Sequence, residues 1–200
     1  MDSWGPSLSG ERVRVEPITP RRARAMLSGR SEAELPWEQG FPMSPVRDAL
    51  TKIVEAGAKD EVLGPFFAYV IVRKADGRAI GDAGFFGPPN EDKELEIGYA
   101  LVPGARGSGL ASESVRLLIS WACAQPGVGD ITARVEPGNV SSERLLRHLG
   151  FRLEGEHAGM RRFVQRCGRD GSECPPRTDR AQPIILLTVI ASRDNVARWS

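Results

Sequence analysis

The spacing of apolar positions divides this chain into short alternating runs and longer helical stripes. Residues 11–18, ERVRVEPI, alternate with period two and predict a first strand, closed by Thr19-Pro20. PRRARAML at 20–27 and SPVRDALTKIVEAGA at 44–58 predict helices. In the second, Val46, Leu50, Ile53 and Val54 share a stripe and Ser44-Pro45 is a start signal. FFAYVIVR at 66–73 is rich in aromatic and β-branched residues, and ADGR at 75–78 predicts a hairpin turn into a strand at 79–87. ELEIGYALV at 94–102 alternates strictly, with Leu95, Ile97, Tyr99 and Leu101 on one face and Glu94, Glu96, Gly98 and Ala100 on the other.

Beyond this strand, Ala111, Val115, Leu118, Ile119 and Ala122 mark the buried stripe of a helix that ends near Gln125-Pro126. Residues 130–136 predict a strand. Residues 139–151 predict a short helix stopped by a left-handed Gly150, with Phe151 folded back on Leu146. A strand restarts at 151–156. Residues 159–182 show no period and predict an irregular loop, IILLTVIA at 184–191 a last strand, and 193–200 a loose tail. The mixed order of elements predicts one α/β (α+β) domain over residues 1–200. Its central sheet is mixed and partly antiparallel, with helices on both faces.

Composition narrows the function. Apolar residues make up 40% and charged residues 26%, as in ordinary globular proteins, and 27 Lys+Arg against 26 Asp+Glu leave a net charge of +1. The absence of a basic excess argues against nucleic acid as partner. No apolar run approaches the length of a membrane span, and MDSWGPSLSGERV has neither a basic nor an apolar leader region, so no membrane partner is expected. Three cysteines (Cys123, Cys167 and Cys174), two histidines and no CxxC give no convincing metal site. Reduced, structural thiols in a cytoplasmic protein are the expectation, with a Cys167–Cys174 bridge left open.

The chemistry concentrates in VPGARGSGLASES, residues 102–114. Three glycines stand directly before a helix there, beside Arg106. The first amides of a helix lack partners and the helix dipole favours negative charge. Glycines remove the Cβ atoms that would hold a phosphate away, and Arg106 adds a cation. A Walker loop fails because Leu110 follows Gly109, and a dinucleotide fingerprint fails because Ser112 stands at the third glycine position.

A second motif lies about thirty residues on. Arg106-Gly107-x-Gly109-x-Ala111 and Asn139-x-x-Ser142, followed by Leu149-Gly150-Phe151, together closely resemble the GNAT superfamily of acetyl-CoA-dependent N-acetyltransferases. Within it, the match is to the branch resembling ribosomal-protein N-terminal acetyltransferases, and it is strongest over residues 80–156. The resemblance implies acetyl-CoA as cosubstrate, no metal, and transfer of the acetyl group to a primary amine by direct attack. It implies the CoA diphosphate on the amides of Arg106, Gly107, Ser108, Gly109, Leu110 and Ala111. The pantetheine arm would lie as a pseudo-strand beside Leu101 and Val102, one of whose amides polarises the thioester carbonyl, and Asn139 would bond a pantetheine amide. Glu96 matches the glutamate that acts as base in several members. The tyrosine that many members place four residues after Ser142 is Leu146 here, so Ser142 inherits the role of donor to the sulfur. That departure leaves open a member that binds acyl-CoA without turnover, as sensor or scaffold. Glu32, Glu34 and Trp37, in the loop before the core, would suit a cationic amine with an apolar body. The acceptor is a protein N-terminus or a small-molecule amine, and the chain a monomer or homodimer.

Overall fold

The computed structural model describes residues 4–30, 35–43 and 46–167. Among these residues, eight strands and four α-helices follow one another as β1 (Leu8–Ser9), β2 (Val13–Pro17), α1 (Pro20–Leu27), α2 (Arg47–Ala58), β3 (Ala68–Arg73), β4 (Ala79–Phe85), β5 (Glu94–Leu101), α3 (Leu110–Cys123), β6 (Asp130–Val135), α4 (Val140–His148), β7 (Arg152–His157) and β8 (Met160–Arg166). The strands form one sheet in the order β1-β2-β3-β4-β5-β6-β8-β7. Every pairing is antiparallel except β5 with β6. The expected α/β architecture is therefore present.

Local chemistry explains most boundaries. Thr19 caps α1 by accepting from the Arg22 amide, and Pro20 fills the first helical position, where no amide partner is lost. α4 ends as its sequence requires: Gly150 takes φ 92°, its amide donates to Arg147 O at 3.1 Å, and the Phe151 amide donates to Leu146 O at 3.0 Å. The start signal at Ser44-Pro45 lies outside the described residues, and α2 is described from Arg47.

Helices cover both faces. On one, Arg22 of α1 pairs with Glu16 of β2 at 2.6 Å, and α2 packs on α1 so closely that a Cβ on Gly57 would stand 2.5 Å from Pro20 Cγ. On the other, the Trp121 ring of α3 lies 5.4–6.4 Å from those of Phe66, Tyr69 and Phe85, and Arg147 of α4 sits 5.5 Å over the Phe163 ring of β8. Between them, Val15, Leu50, Ile71, Leu118 and Ile131 are fully enclosed. Each such side chain contributes about 1.5–3 kcal/mol by leaving water.

Two expectations are overturned. Residues 160–166, read as part of an irregular loop, form β8. Ala158 and Gly159 take φ 51° and 76° as a two-residue turn, which pairs His157 with Met160 and turns Phe163 into the core. The rest of the expected loop, the strand at 184–191 and the tail at 193–200 lie outside the described residues. The thiols are not reduced either: Cys123 is joined to Cys167 by a disulfide across a Cα separation of 5.0 Å. β8 lies beside β6, Asp130 opposite Arg166, and this brings Cys167 under the end of α3. The Cys167 amide donates to Gly129 O at 2.8 Å. These two cysteines therefore give no sign of a reducing compartment.

Candidate functional site

The glycine loop gets its shape from what the chain does after β5. The Val102 amide donates back to Ile80 O of β4 at 2.9 Å, and its carbonyl accepts from Ala105 across a single turn of 3-10 helix at Pro103–Ala105. Gly107 and Gly109 then take φ 76° and 79°, conformations that strain any side-chain-bearing residue. Gly109 stands at the cap position of α3 and has no side chain with which to satisfy the amides that follow. Gly107, Ser108 and Gly109 are exposed, so this end of α3 opens to solvent. Here the dipole favours an anion, and no side chain competes for the donors.

Two arginines border the loop. Arg106 does not point straight outward: its Nε donates to Leu101 O at 3.0 Å. Arg12, which the sequence pattern marked only as a strand position, is tied to the loop from the turn before β2. Its guanidinium donates to Ser108 O at 2.8 Å and to Glu113 at 3.0 Å, and its amide donates to the same carboxylate at 2.8 Å. Burial pushes the Glu113 carboxyl up, but these hydrogen bonds outweigh it and hold the group below its ordinary range. A cleft of about 440 Å³ opens alongside, between the β1–β2 turn and α3, with Arg12, Arg116 and His148 in its wall.

A wedge continues from the loop into the sheet. β5 and β6 pair at only three positions, Glu94 with Asp130, Leu95 with Ile131 and Glu96 with Thr132. β5 runs on to Leu101 and β6 to Val135 without further pairing between them. Glu96 O and Val102 N bond toward the β4 side, so alternation turns the amides and carbonyls of Tyr99 and Leu101 into the wedge. This corrects one expectation. Val102 cannot supply a pairing or polarising amide, because that amide is already donated to Ile80; Tyr99 stands at the equivalent wedge-facing position.

Asn139 lies at the start of α4 across the wedge. It is only 8% exposed, and its Oδ1 accepts from the Ser142 amide and the Ser141 hydroxyl, each at 3.2 Å. Its Nδ2 is buried and has no hydrogen-bond partner among the described residues. Such a donor costs about 1–3 kcal/mol if left unmet, so the position favours a ligand carbonyl. The Oδ1 contact is an ordinary helix cap, and both roles coexist on one side chain.

The other expected residues are spread around this frame. Glu96 is on the α1/α2 side of the sheet and makes a bidentate pair with Arg134 of β6, Nε to Oε1 at 2.8 Å and a terminal nitrogen to Oε2 at 2.7 Å. Its hydrogen bonds push the Arg134 guanidinium up. Glu94 pairs with Arg162 on the same face at 2.9 Å. On the opposite side, the Tyr99 hydroxyl reaches Ser142 O at 3.5 Å, and Leu146 is fully buried. Sequence reasoning counted Tyr99 as a core position; its contact with α4 spans 43 residues and left no local sign. Trp37 lies where the segment before α2 bridges Ala79, its ring edge-on to Phe41 at 5.9 Å. Glu32 and Glu34 lie outside the described residues. Among the described residues no acidic, histidine or cysteine side chains group as a metal site, and no helix is long and apolar enough to cross a membrane.

Comparison with known proteins agrees with this geometry. Residues 12–152 match the acetyltransferase (GNAT) domain family. The chain is 32% identical over 124 residues to the uncharacterized N-acetyltransferase YjdG of Bacillus subtilis (strain 168), covering 62% of this chain and 74% of that protein. Among solved structures, a ribosomal-protein-S5-alanine acetyltransferase from Vibrio fischeri is similar at TM-score 0.58 and 22% identity, over 80% of this chain and 96% of that one. Mycobacterium smegmatis RimJ, in complex with CoA-disulfide, is similar at TM-score 0.58 and 24% identity, over 82% and 88%. These two likenesses establish the fold. With the family match spanning most of the described core, the chain belongs to the GNAT family of acetyltransferases, the class of enzyme that its paired motifs indicated.

Proposed function

We propose that this protein transfers the acetyl group of acetyl-CoA to a primary amine, a protein N-terminus or a small-molecule amine, by direct attack in a ternary complex. Bound acetyl-CoA supplies an activated thioester. The observation that carries the reading is a set of polar groups around the wedge: the exposed, uncapped start of α3 at Gly109, the amides of Tyr99 and Leu101 beyond the last β5–β6 pair, and the buried Nδ2 of Asn139, which has no hydrogen-bond partner among the described residues. Arg106, Gly107, Ser108, Gly109, Leu110 and Ala111 would hold the diphosphate, while Tyr99, Leu101 and Asn139 would hold the pantetheine arm.

Glu96 is the proposed base. An attacking amine must shed a proton as the amide forms. Deprotonating a lysine-like amine of pKa about 10.4 costs about 4–5 kcal/mol at pH 7, against about 1 for an α-amino group near 7.8, so the second is the easier acceptor. Arg134 fixes the carboxylate with two hydrogen bonds, and each oxygen keeps a lone-pair site for an ammonium or an ordering water. Ser142 contributes its hydroxyl at the start of α4, and Glu32, Glu34 and Trp37 are proposed to meet the acceptor.

A thiol-release assay with acetyl-CoA and a panel of peptides and small amines tests the reading. Binding is established first: acetyl-CoA at a hundred times its dissociation constant should stabilise the fold by about 2.7 kcal/mol, and ATP or NAD should not. The buried Leu146 favours one alternative, an acyl-CoA sensor without turnover. Binding without thiol release from any amine would select it.

A further inference from the structure

We propose that the Tyr99 hydroxyl is the proton donor to the departing thiolate. The inference rests on acetyl transfer as the reaction. Leu146, where the family resemblance implies a tyrosine acid, is enclosed in the core and has no proton to give. Ser142, the expected substitute, is a poor acid. The fold nevertheless brings a phenol to the same helix turn from a different strand.

Tyr99 lies on β5 with its backbone facing the wedge. Its ring crosses on the α3/α4 side to the first turn of α4, where the hydroxyl stands 3.5 Å from Ser142 O. That turn also presents the buried, unpartnered Nδ2 of Asn139. The phenol thus links β5 to the helix turn that would flank the thioester. A separation of 3.5 Å is long for an O–H···O contact, whose usual distance is about 2.7–2.8 Å, so the proton is loosely engaged and can be redirected. Tyr69 provides the contrast: it is fully enclosed, and its hydroxyl is committed to Pro65 O at 2.7 Å. Burial pushes the Tyr99 phenol above its ordinary range, and like any phenol it carries its proton at neutral pH.

The step balances. The amine nitrogen forms its bond to the acyl carbon, the carbon–sulfur bond breaks, and its electron pair goes to sulfur. The Tyr99 proton passes to sulfur, Glu96 takes the proton shed by the nitrogen, and the phenolate regains a proton from solvent as Glu96 releases its own. A thiol leaving group near pKa 8.5 needs only this modest help.

Tyr99→Phe removes one oxygen and keeps the ring. The expected result is a fall in kcat of about a hundredfold with CoA affinity unchanged. The thiol of bound CoA, followed by its ultraviolet thiolate absorbance, should titrate at higher pH in Tyr99→Phe than in wild type, because a donor to the sulfur has been lost. The chain has two tyrosines, so fluorotyrosine incorporated in a Tyr69→Phe background labels position 99 alone. Lowering that phenol's pKa should move the alkaline limb of the kcat profile to lower pH. Wild-type turnover and an unshifted thiol titration in Tyr99→Phe would overturn the assignment while leaving acetyl transfer intact. Failure of the wild type itself to bind CoA or release thiol would remove the reaction and this role with it.

Discussion

The two ends of the wedge are built on opposite principles. At the α3 end, backbone does the binding: Gly107, Ser108 and Gly109 are exposed, and no side chain caps the helix. At the other end, side chains reach across long separations, Glu96 to the Arg134 side chain over 38 residues and Tyr99 to the main-chain carbonyl of Ser142 on α4 over 43. An anion site made of amides tolerates side-chain variation but fails when something fills or bends the loop. A reaction site made of paired side chains keeps its shape only while both partners are present. Damage at the first end should therefore appear as lost cofactor affinity, and damage at the second as lost turnover.

The largest expected effect lies at neither end and serves as the control. Reducing the Cys123–Cys167 disulfide, or the change Cys167→Ser, releases a loop closed across 44 residues. The chain-entropy estimate for that loop is about 4 kcal/mol, to be read by denaturant unfolding with and without reductant. The bond joins the far end of α3 to β8, so CoA affinity should hold. Next comes Ser108→Glu, which places a carboxylate beside the α3 amides without the φ strain that any change at Gly109 would add. CoA affinity should fall about a hundredfold, about 2.7 kcal/mol, by calorimetry on protein with an unchanged circular dichroism spectrum.

At the reaction end, Glu96→Gln should lower kcat by at least about tenfold, most visibly at low pH, and leave CoA binding nearly as in wild type. Arg134→Lys should reproduce part of that loss, because an ammonium cannot form the two-pronged pair. Asn139→Asp separates cap from ligand contact: aspartate keeps the acceptor for the Ser142 amide but deletes the Nδ2 donor. Stability should be retained while CoA affinity falls about tenfold. The smallest effect is acid sensitivity of the Arg12 tether. The folded Glu113 carboxyl is held below its unfolded value of about 4.3, so its contribution is complete above that pH and disappears as pH falls through the folded value. In Glu113→Gln, the stability profile below about pH 4.3 should flatten.

What could be read from the chain was local. The glycine loop, the α4 termination at Gly150 and the two faces of β5 each follow from residues within a turn or a strand of one another. The wedge was not legible, because it depends on how far β6 stays in register with β5, which neither strand encodes alone. Arg12 was missed because the loop it braces lies 96 residues away. Tyr99 was hidden by its own periodicity: alternation places it with core residues and says nothing of a hydroxyl that reaches a helix formed later. The β8 hairpin did carry a signal, two residues at Ala158-Gly159 between alternating runs, but the many arginines around it masked the period.

A crystal structure of the protein soaked with CoA tests the central claim most directly. The diphosphate should lie on the amides at the start of α3, with the pantetheine arm paired to the backbone of Tyr99 and Leu101 and one of its carbonyls on Asn139 Nδ2. Density for CoA elsewhere, with the Gly107–Gly109 turn bare and β5 and β6 closed against each other, would contradict the account.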